Sequence, residues 1–262
     1  MVLSSPHSGR DYPRDFVDSA LLDIHALRSS EDMFVDELFG GAAALGLPMI
    51  AARYPRAWCD LNRAPDEFDP AVIADLPFGR RSPRAAAGLG VIPRIVSAGR
   101  PIRQGKMRFE EAEARMAASY YPYHKTLASM VAAARERFGE VLLLDCHSMP
   151  SSSVSAEAEI VIGDRYGASA YAAARRSVVR AFEEAGFRVA LNEPFAGGHI
   201  AAHYGRPGKG VHAVQVELNR ALYMDEGAQA KRAVFGDVRA RLTQAVAVIA
   251  RDWSVSHQLA AE

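Results

Sequence analysis

The sequence has little of what marks several large classes of protein. Only two cysteines, Cys59 and Cys146, occur in 262 residues. That is too few for a disulfide framework and in keeping with a reducing compartment. Neither sign of charge is in excess, since 31 basic residues stand against 31 acidic ones. Binding to phosphate backbones or anionic membranes needs a basic surplus or a basic face. The densest basic spot, Arg80-Arg81 with Arg84, reads as a solvated loop. No apolar run approaches the ~20 residues of a membrane span. No basic segment followed by an apolar one opens the chain, so no signal peptide is expected. Together these absences predict a cytoplasmic protein without a nucleic-acid or membrane partner; they leave its oligomeric state open. HExxH, GxSxG and GxGxxG are also missing, which removes those zinc-protease, serine-hydrolase and dinucleotide layouts.

What is present is a soluble composition, 49% apolar and 24% charged, with apolar runs of strand length alternating with helical periods. A helix is expected over Asp32–Leu45. Short strands are expected in "PMIAARYPRAWCDLNR", followed by an irregular excursion at about 64–106 with one strand at Val91-Ile92. A helix over Phe109–Tyr121 should break or kink at Pro122 and resume from His124 to Phe138. Strands are predicted at Val141–Leu144, Ala158–Ile162, Phe187–Leu191 and Ala213–Leu218. Helices are predicted at Ala168–Ala185 and at about Gly227–Ala250, and a glycine-rich loop spans Gly197–Gly210. Strands alternating with helices indicate an α/β fold with a largely parallel sheet. Without a repeat or linker, the chain reads as a single domain, 1–262.

Ligands of open α/β sheets bind at the carboxyl ends of strands. Four polar clusters fall at such ends: Pro6-His7-Ser8-Gly9, Asp60-Leu61-Asn62-Arg63, Asp145-Cys146-His147-Ser148 and Glu217-Leu218-Asn219-Arg220. Each has an ordinary reading: His7 as a turn residue, Asp60 to Arg63 as a salt-bridged turn, Glu217 on a solvated face. His147, closing an apolar strand, resists such a reading, as does Glu217 among Val214, Val216 and Leu218. Imidazoles with a carboxylate suit a zinc site with an open position for water, and a glutamate can then act as base. Cys146 invites a thiol-nucleophile reading, but adjacent strand residues point to opposite faces, so it cannot easily pair with His147.

The stretches "SSPHSGRDYP", "DLNRAP", "YYPYHKTL", "FGEVLLLDCHSMPS", "GGHIAAHYGRP" and "GVHAVQVELNRALYMDE" together resemble the N-formylglutamate amidohydrolase family, in consistent order from Ser4 to Glu226. The resemblance implies a three-layer α/β/α arrangement around a mixed, largely parallel sheet, of the zinc-carboxypeptidase (phosphorylase/hydrolase-like) type. It implies metal-dependent hydrolysis of N-formyl-L-glutamate, the last step of one histidine-degradation route, with Zn2+ or another divalent ion such as Co2+ as cofactor. It implies His7 and His147 as metal ligands and Glu217 as general base. Asn62 and Arg63 are implied to grip a substrate carboxylate, with Arg220 as a further substrate contact and Arg56 at the oxyanion. Related deacylases take a third ligand three residues after the first histidine, where this chain has Arg10, which cannot ligate. Asp60 is the first choice in its place, with Asp11 and His203 as alternatives; Asp60 could instead orient the His7 ring. The rival readings are an amidase acting on a peptide or peptidoglycan-type amide, and a metal-binding protein of the same fold without turnover.

Overall fold

The computed structural model describes residues 1–77, 82–154 and 158–258, with side-chain surroundings to residue 253. Arg80-Arg81 lie outside the described residues. Six strands form the main sheet: β1 (Val2–Ser5), β2 (Met49–Ala51), β3 (Val141–Met149), β4 (Ile160–Gly163), β5 (Val189–Leu191) and β6 (Val211–Asn219). Their order is β2-β1-β3-β6-β4-β5. β1 with β3, β3 with β6 and β4 with β5 run parallel, while β4 runs antiparallel to β6. The sheet is therefore mixed and mostly parallel, as the alternating pattern predicts. A two-stranded hairpin, β7 (Met224–Asp225) with β8 (Ala230–Lys231), stands apart from it. The helices are α1 (Arg14–Ser19), α2 (Ile24–Arg28), α3 (Val35–Leu38), α4 (Pro83–Ala86), α5 (Phe109–Arg115), α6 (Tyr121–Phe138), α7 (Ala172–Glu184), α8 (His199–Tyr204) and α9 (Phe235–Gln258). Among the described residues, no helix is long and apolar enough to cross a membrane.

The chain forms two compact units, one of residues 1–5, 33–50 and 127–262, the other of residues 6–32 and 51–126. The first holds the main sheet apart from Ala51, the last residue of β2. All nine residues of β3 and all nine of β6 are buried, so both sheet faces are covered. One face is mostly apolar: Leu142, Leu144 and Cys146 of β3 join Val214, Val216 and Leu218 of β6 and Ile160 and Ile162 of β4, with His212 at the start of β6 and Ser148 near the end of β3 as its polar members. α7 covers this face with Ala174, Val178, Ala181 and Phe182, and α9 with Val238, Leu242, Ala245, Val246 and Ile249. Those spacings of three and four give one apolar stripe per helix.

Several boundaries differ from expectation for identifiable reasons. β3 does not stop at Leu144 but continues to Met149, because the ladder with β6 is unbroken and Asp145 and His147 point to the face opposite Leu144 and Cys146. The helix expected over 32–45 is one α-turn followed by a 3₁₀ stretch, Gly40–Leu45. Phe34 before it takes a left-handed φ of 65°, and Gly40-Gly41 favours no regular helix. Val91-Ile92 forms no strand; Val91 N–H donates to Glu67 O and its carbonyl accepts from Asp60 N–H, which ties the excursion inside the second unit. At Pro122 the chain does not break. A π-turn, Met116–Tyr120, joins α5 to α6, and Tyr121 N–H donates to Met116 O. Pro122 then falls in the first turn of α6, where a missing N–H costs little. The glycine-rich loop carries α8.

Both thiols are buried. Burial raises the pKa of Cys59 and pushes that of Cys146 well above the ordinary thiol value, and Asp60 and Asp145 respectively add to this. Cys146 packs in the apolar face, so the thiol-nucleophile reading falls. A thiol reagent should label both cysteines only after denaturation. Fast labelling of the native protein, followed by absorbance or mass, would contradict this placement.

Candidate active site

Strand alternation gives the first unit its second, polar face. Residues two apart share a face, so Asp145 and His147 of β3, Gln215 and Glu217 of β6, and Ser4 of β1 all lie opposite the apolar cluster. The register sets Ser4 beside Asp145, Asp145 beside Gln215, and His147 beside Glu217. The imidazole of His147 and the carboxylate of Glu217 are thus neighbours by strand pairing, 2% and 6% exposed. His147 Nε2 lies 3.0 Å from Asp145 Oδ2, and Ser4 Oγ donates to the other oxygen of Asp145 at 3.0 Å. Gln215 Nε2 donates to Glu217 Oε1 at 2.7 Å. At the end of β6, Arg220 Nε donates to Ser148 Oγ at 3.2 Å.

The second unit holds a charged cluster built on loops. His7 follows the carboxyl end of β1 by two residues. The loop after it lies flat on its neighbour, because a Cβ on Gly9 would sit 2.0 Å from the Tyr54 carbonyl oxygen. His7 Nε2 lies 2.7 Å from Asp60 Oδ1, an oxygen that also accepts from Asn62 N–H. Arg56 Nη2 donates to Asp60 Oδ2 at 2.8 Å, and Arg63 Nη2 lies 3.7 Å from the same oxygen. Burial alone would raise the Asp60 pKa, but Arg56, then Arg63 and His7, outweigh it and hold the carboxyl well below its usual range. The Arg63 guanidinium is fixed by backbone carbonyls: Nε donates to Leu89 O and Nη1 to Asn62 O. Burial lowers its pKa, and Asp60 opposes that effect. Tyr120 OH donates to Arg63 O, and His124 Nε2 meets Leu61 O at 2.9 Å. The π-turn and α6 therefore brace the Asp60-to-Arg63 segment.

The structure thus groups His7, Arg56, Asp60, Asn62 and Arg63 in one unit, and His147, Glu217 and Arg220 in the other. Asp11 is half-exposed on Arg53, and His203 is exposed on α8, stacked on His199. Sequence reasoning missed two residues. Asp32 is 1% exposed; its N–H donates to His7 O, and its Oδ2 lies 3.4 Å from His7 Nδ1. The acidic pair Glu31-Asp32 ahead of an apolar run looks like a helix start, so nothing local marks it. Gln215 was visible only as a polar break in an apolar strand.

The donor chemistry suits a metal. Each histidine presents Nε2 to a buried carboxylate, Asp60 for His7 and Asp145 for His147. That arrangement fixes the tautomer and turns Nδ1 into the lone-pair side of the ring. In the second unit, the lone-pair side of His7 then faces an Asp32 oxygen, an approach that a shared cation relieves. His7, Asp32 and His147 each offer a buried ligand atom.

The N-formylglutamate amidohydrolase family model matches residues 1–224. An N-formylglutamate deformylase of Pseudomonas aeruginosa is 35% identical over 238 residues, covering 87% of this chain and 83% of the relative. One from Pseudomonas putida is 33% identical over 234 residues, covering 86% and 82%. The crystal structure of an N-formylglutamate amidohydrolase from Ralstonia eutropha JMP134 superposes with a TM-score of 0.90 at 33% identity, covering 99% of this chain and 94% of that one. A gene product of Agrobacterium tumefaciens shares the fold, with a TM-score of 0.62 at 19% identity over 95% of this chain and 91% of that one. The chain belongs to the N-formylglutamate amidohydrolase family.

Proposed function

We propose that this chain hydrolyses N-formyl-L-glutamate to glutamate and formate, in the cytoplasm and as the last step of one histidine-degradation route. In this reading the reaction depends on a divalent metal, zinc or cobalt, held by His7, His147 and Asp32. One observation carries it: in a chain of this family, an imidazole and a carboxylate, His147 and Glu217, stand side by side on a buried sheet face. Buried ionisable groups brought together in this way are candidates for a functional site. Two nitrogens and an oxygen are a donor set that zinc accepts, with a position left for water or substrate. When bound, such a metal acidifies water and polarises an acyl oxygen.

The remaining steps belong to the protein's own groups. Glu217 takes a proton from the water that adds to the formyl carbon. As the C–N bond breaks, it delivers that proton to the leaving amine nitrogen. Arg56, oriented by Asp60, supplies positive charge to the developing oxyanion. Arg63, with Asn62 and Arg220, receives the substrate carboxylates. A buried guanidinium already fixed by backbone carbonyls disfavours a substrate with no anion to offer it. Asp60 is reassigned here from third donor to the acceptor that orients His7, because its two oxygens already serve His7, Asn62 and Arg56.

The purified protein should release formate from N-formyl-L-glutamate, lose that activity to a chelator and regain it with zinc or cobalt. Metal retained without formate release would reject this substrate. Glu217→Gln should lower kcat by about 10²- to 10⁴-fold while metal content stays at the wild-type level; near-normal turnover would remove Glu217 as base. Asp32→Ala should abolish stoichiometric metal binding, whereas Asp60→Asn should weaken metal affinity by about 10- to 100-fold. The reverse ranking, measured by metal titration, would return Asp60 to the third-donor role.

A further inference from the structure

We infer that Gln215 is a positioning residue that aims the Glu217 carboxylate; the inference rests on the reading of Glu217 as the proton acceptor. Gln215 lies two residues before Glu217 on β6 and is 4% exposed. Its side-chain amide is held at both ends. Nε2 donates to Glu217 Oε1 at 2.7 Å, and Oε1 accepts from Gly198 N–H at 2.7 Å. The amide has one workable orientation. Turned over, it would set its NH2 against the Gly198 N–H and its carbonyl against a carboxylate. A donor fixed by the backbone therefore points at one carboxylate oxygen, and a hydrogen bond to an ionised acceptor is among the stronger kinds.

The backbone end of this clamp is itself constrained. Gly197 adopts a φ of +126°, a conformation that side-chain-bearing residues rarely take. A Cβ there would lie 2.9 Å from Arg165 Cγ and 3.2 Å from Ala201 Cβ. Only glycine lets the chain turn at this point, and the turn delivers Gly198 N–H to Gln215 just before α8. The path Gly197, Gly198, Gln215, Glu217 is a line of support running from loop to base. A proton acceptor loses rate when its oxygen strays by a fraction of an ångström, so such support acts on kcat rather than on substrate affinity.

The ordinary alternative is that Gln215 only anchors the loop before α8. Two substitutions separate the readings. Gln215→Glu keeps an acceptor for Gly198 N–H but sets a second carboxyl against Glu217 where the amide donor stood, and Gln215→Met fills similar space and loses both hydrogen bonds. If Gln215 positions the base, kcat falls at least about tenfold in both variants, KM stays within about twofold, and metal content and melting temperature of the glutamate variant remain near wild type. A glutamate variant with wild-type kcat would leave only the anchoring role and overturn the inference. Should neither variant fold, hydrogen exchange of the Gln215 side-chain amide by NMR decides. Protection in wild type that disappears in Glu217→Ala supports the clamp, and its absence in wild type refutes it. An inactive wild type, or an active Glu217→Gln variant, would instead defeat the assignment of Glu217. Active wild type with unaffected Gln215 variants would defeat this inference alone.

Discussion

Nine consecutive residues of β3 pair in parallel with nine of β6, so that His147 stands beside Glu217 and Asp145 beside Gln215. Everything chemical in the first unit follows from that register. Strand side chains alternate strictly, so a slip of one residue would carry the polar set into the apolar cluster of α7 and α9 and expose the apolar set in its place. The apolar face holds Leu142, Leu144, Cys146, Val214, Val216 and Leu218, each worth on the order of 1–3 kcal/mol when buried. The cost of a slip falls on all of them at once. The apolar face is thus what keeps the polar face in place.

A polar face under cover must satisfy its own charges. Isolated buried ions are prohibitively costly, and burial of a pair is tolerated only when hydrogen bonds complete it. Asp145 meets this condition through His147 on one oxygen and Ser4 on the other. Asp60 meets it through His7, Asn62, Arg56 and Arg63, and the two arginines reverse the upward pull that burial exerts on its carboxyl. These partners also fix geometry. A histidine whose Nε2 is held by a carboxylate has both its tautomer and its ring plane set before any ligand arrives.

Much of this was legible in the sequence. The alternation of strands and helices and the mostly parallel sheet can be read from the apolar runs, and His147 and Glu217 stand out as polar residues in or closing them; His7, in a turn, stands out only beside the other clusters and through the family resemblance. The illegible parts have physical causes. In the sequence β3 reads as stopping at Leu144, because a polar residue inside a buried strand looks like a strand end; only the ladder with β6 shows it to be the other face of the same strand. Asp32 was invisible because its place beside His7 comes from a backbone bond to a residue distant in sequence, and its neighbour Glu31 is occupied with Tyr12 and Arg28. Pro122 signals a helix break correctly in local terms, yet the π-turn absorbs the missing donor and the helical path continues.

The two units differ in how they hold their charged groups, and the difference matches the roles proposed for them. In the first, His147, Glu217 and Gln215 are carried by neighbouring strands of a sheet buried on both sides, the most rigid support a fold offers, and proton transfer has the tightest tolerance for position. In the second, Arg56, Asn62 and Arg63 sit on turns, where substrate-recognising residues commonly lie. Those turns are not loose, because Tyr120 and His124 hold the carbonyls of Arg63 and Leu61 from the helix behind them. The Arg63 guanidinium, held by backbone carbonyls, keeps its direction without a regular element beneath it. The register that sets Glu217 beside His147 is fixed separately, by the β3–β6 ladder.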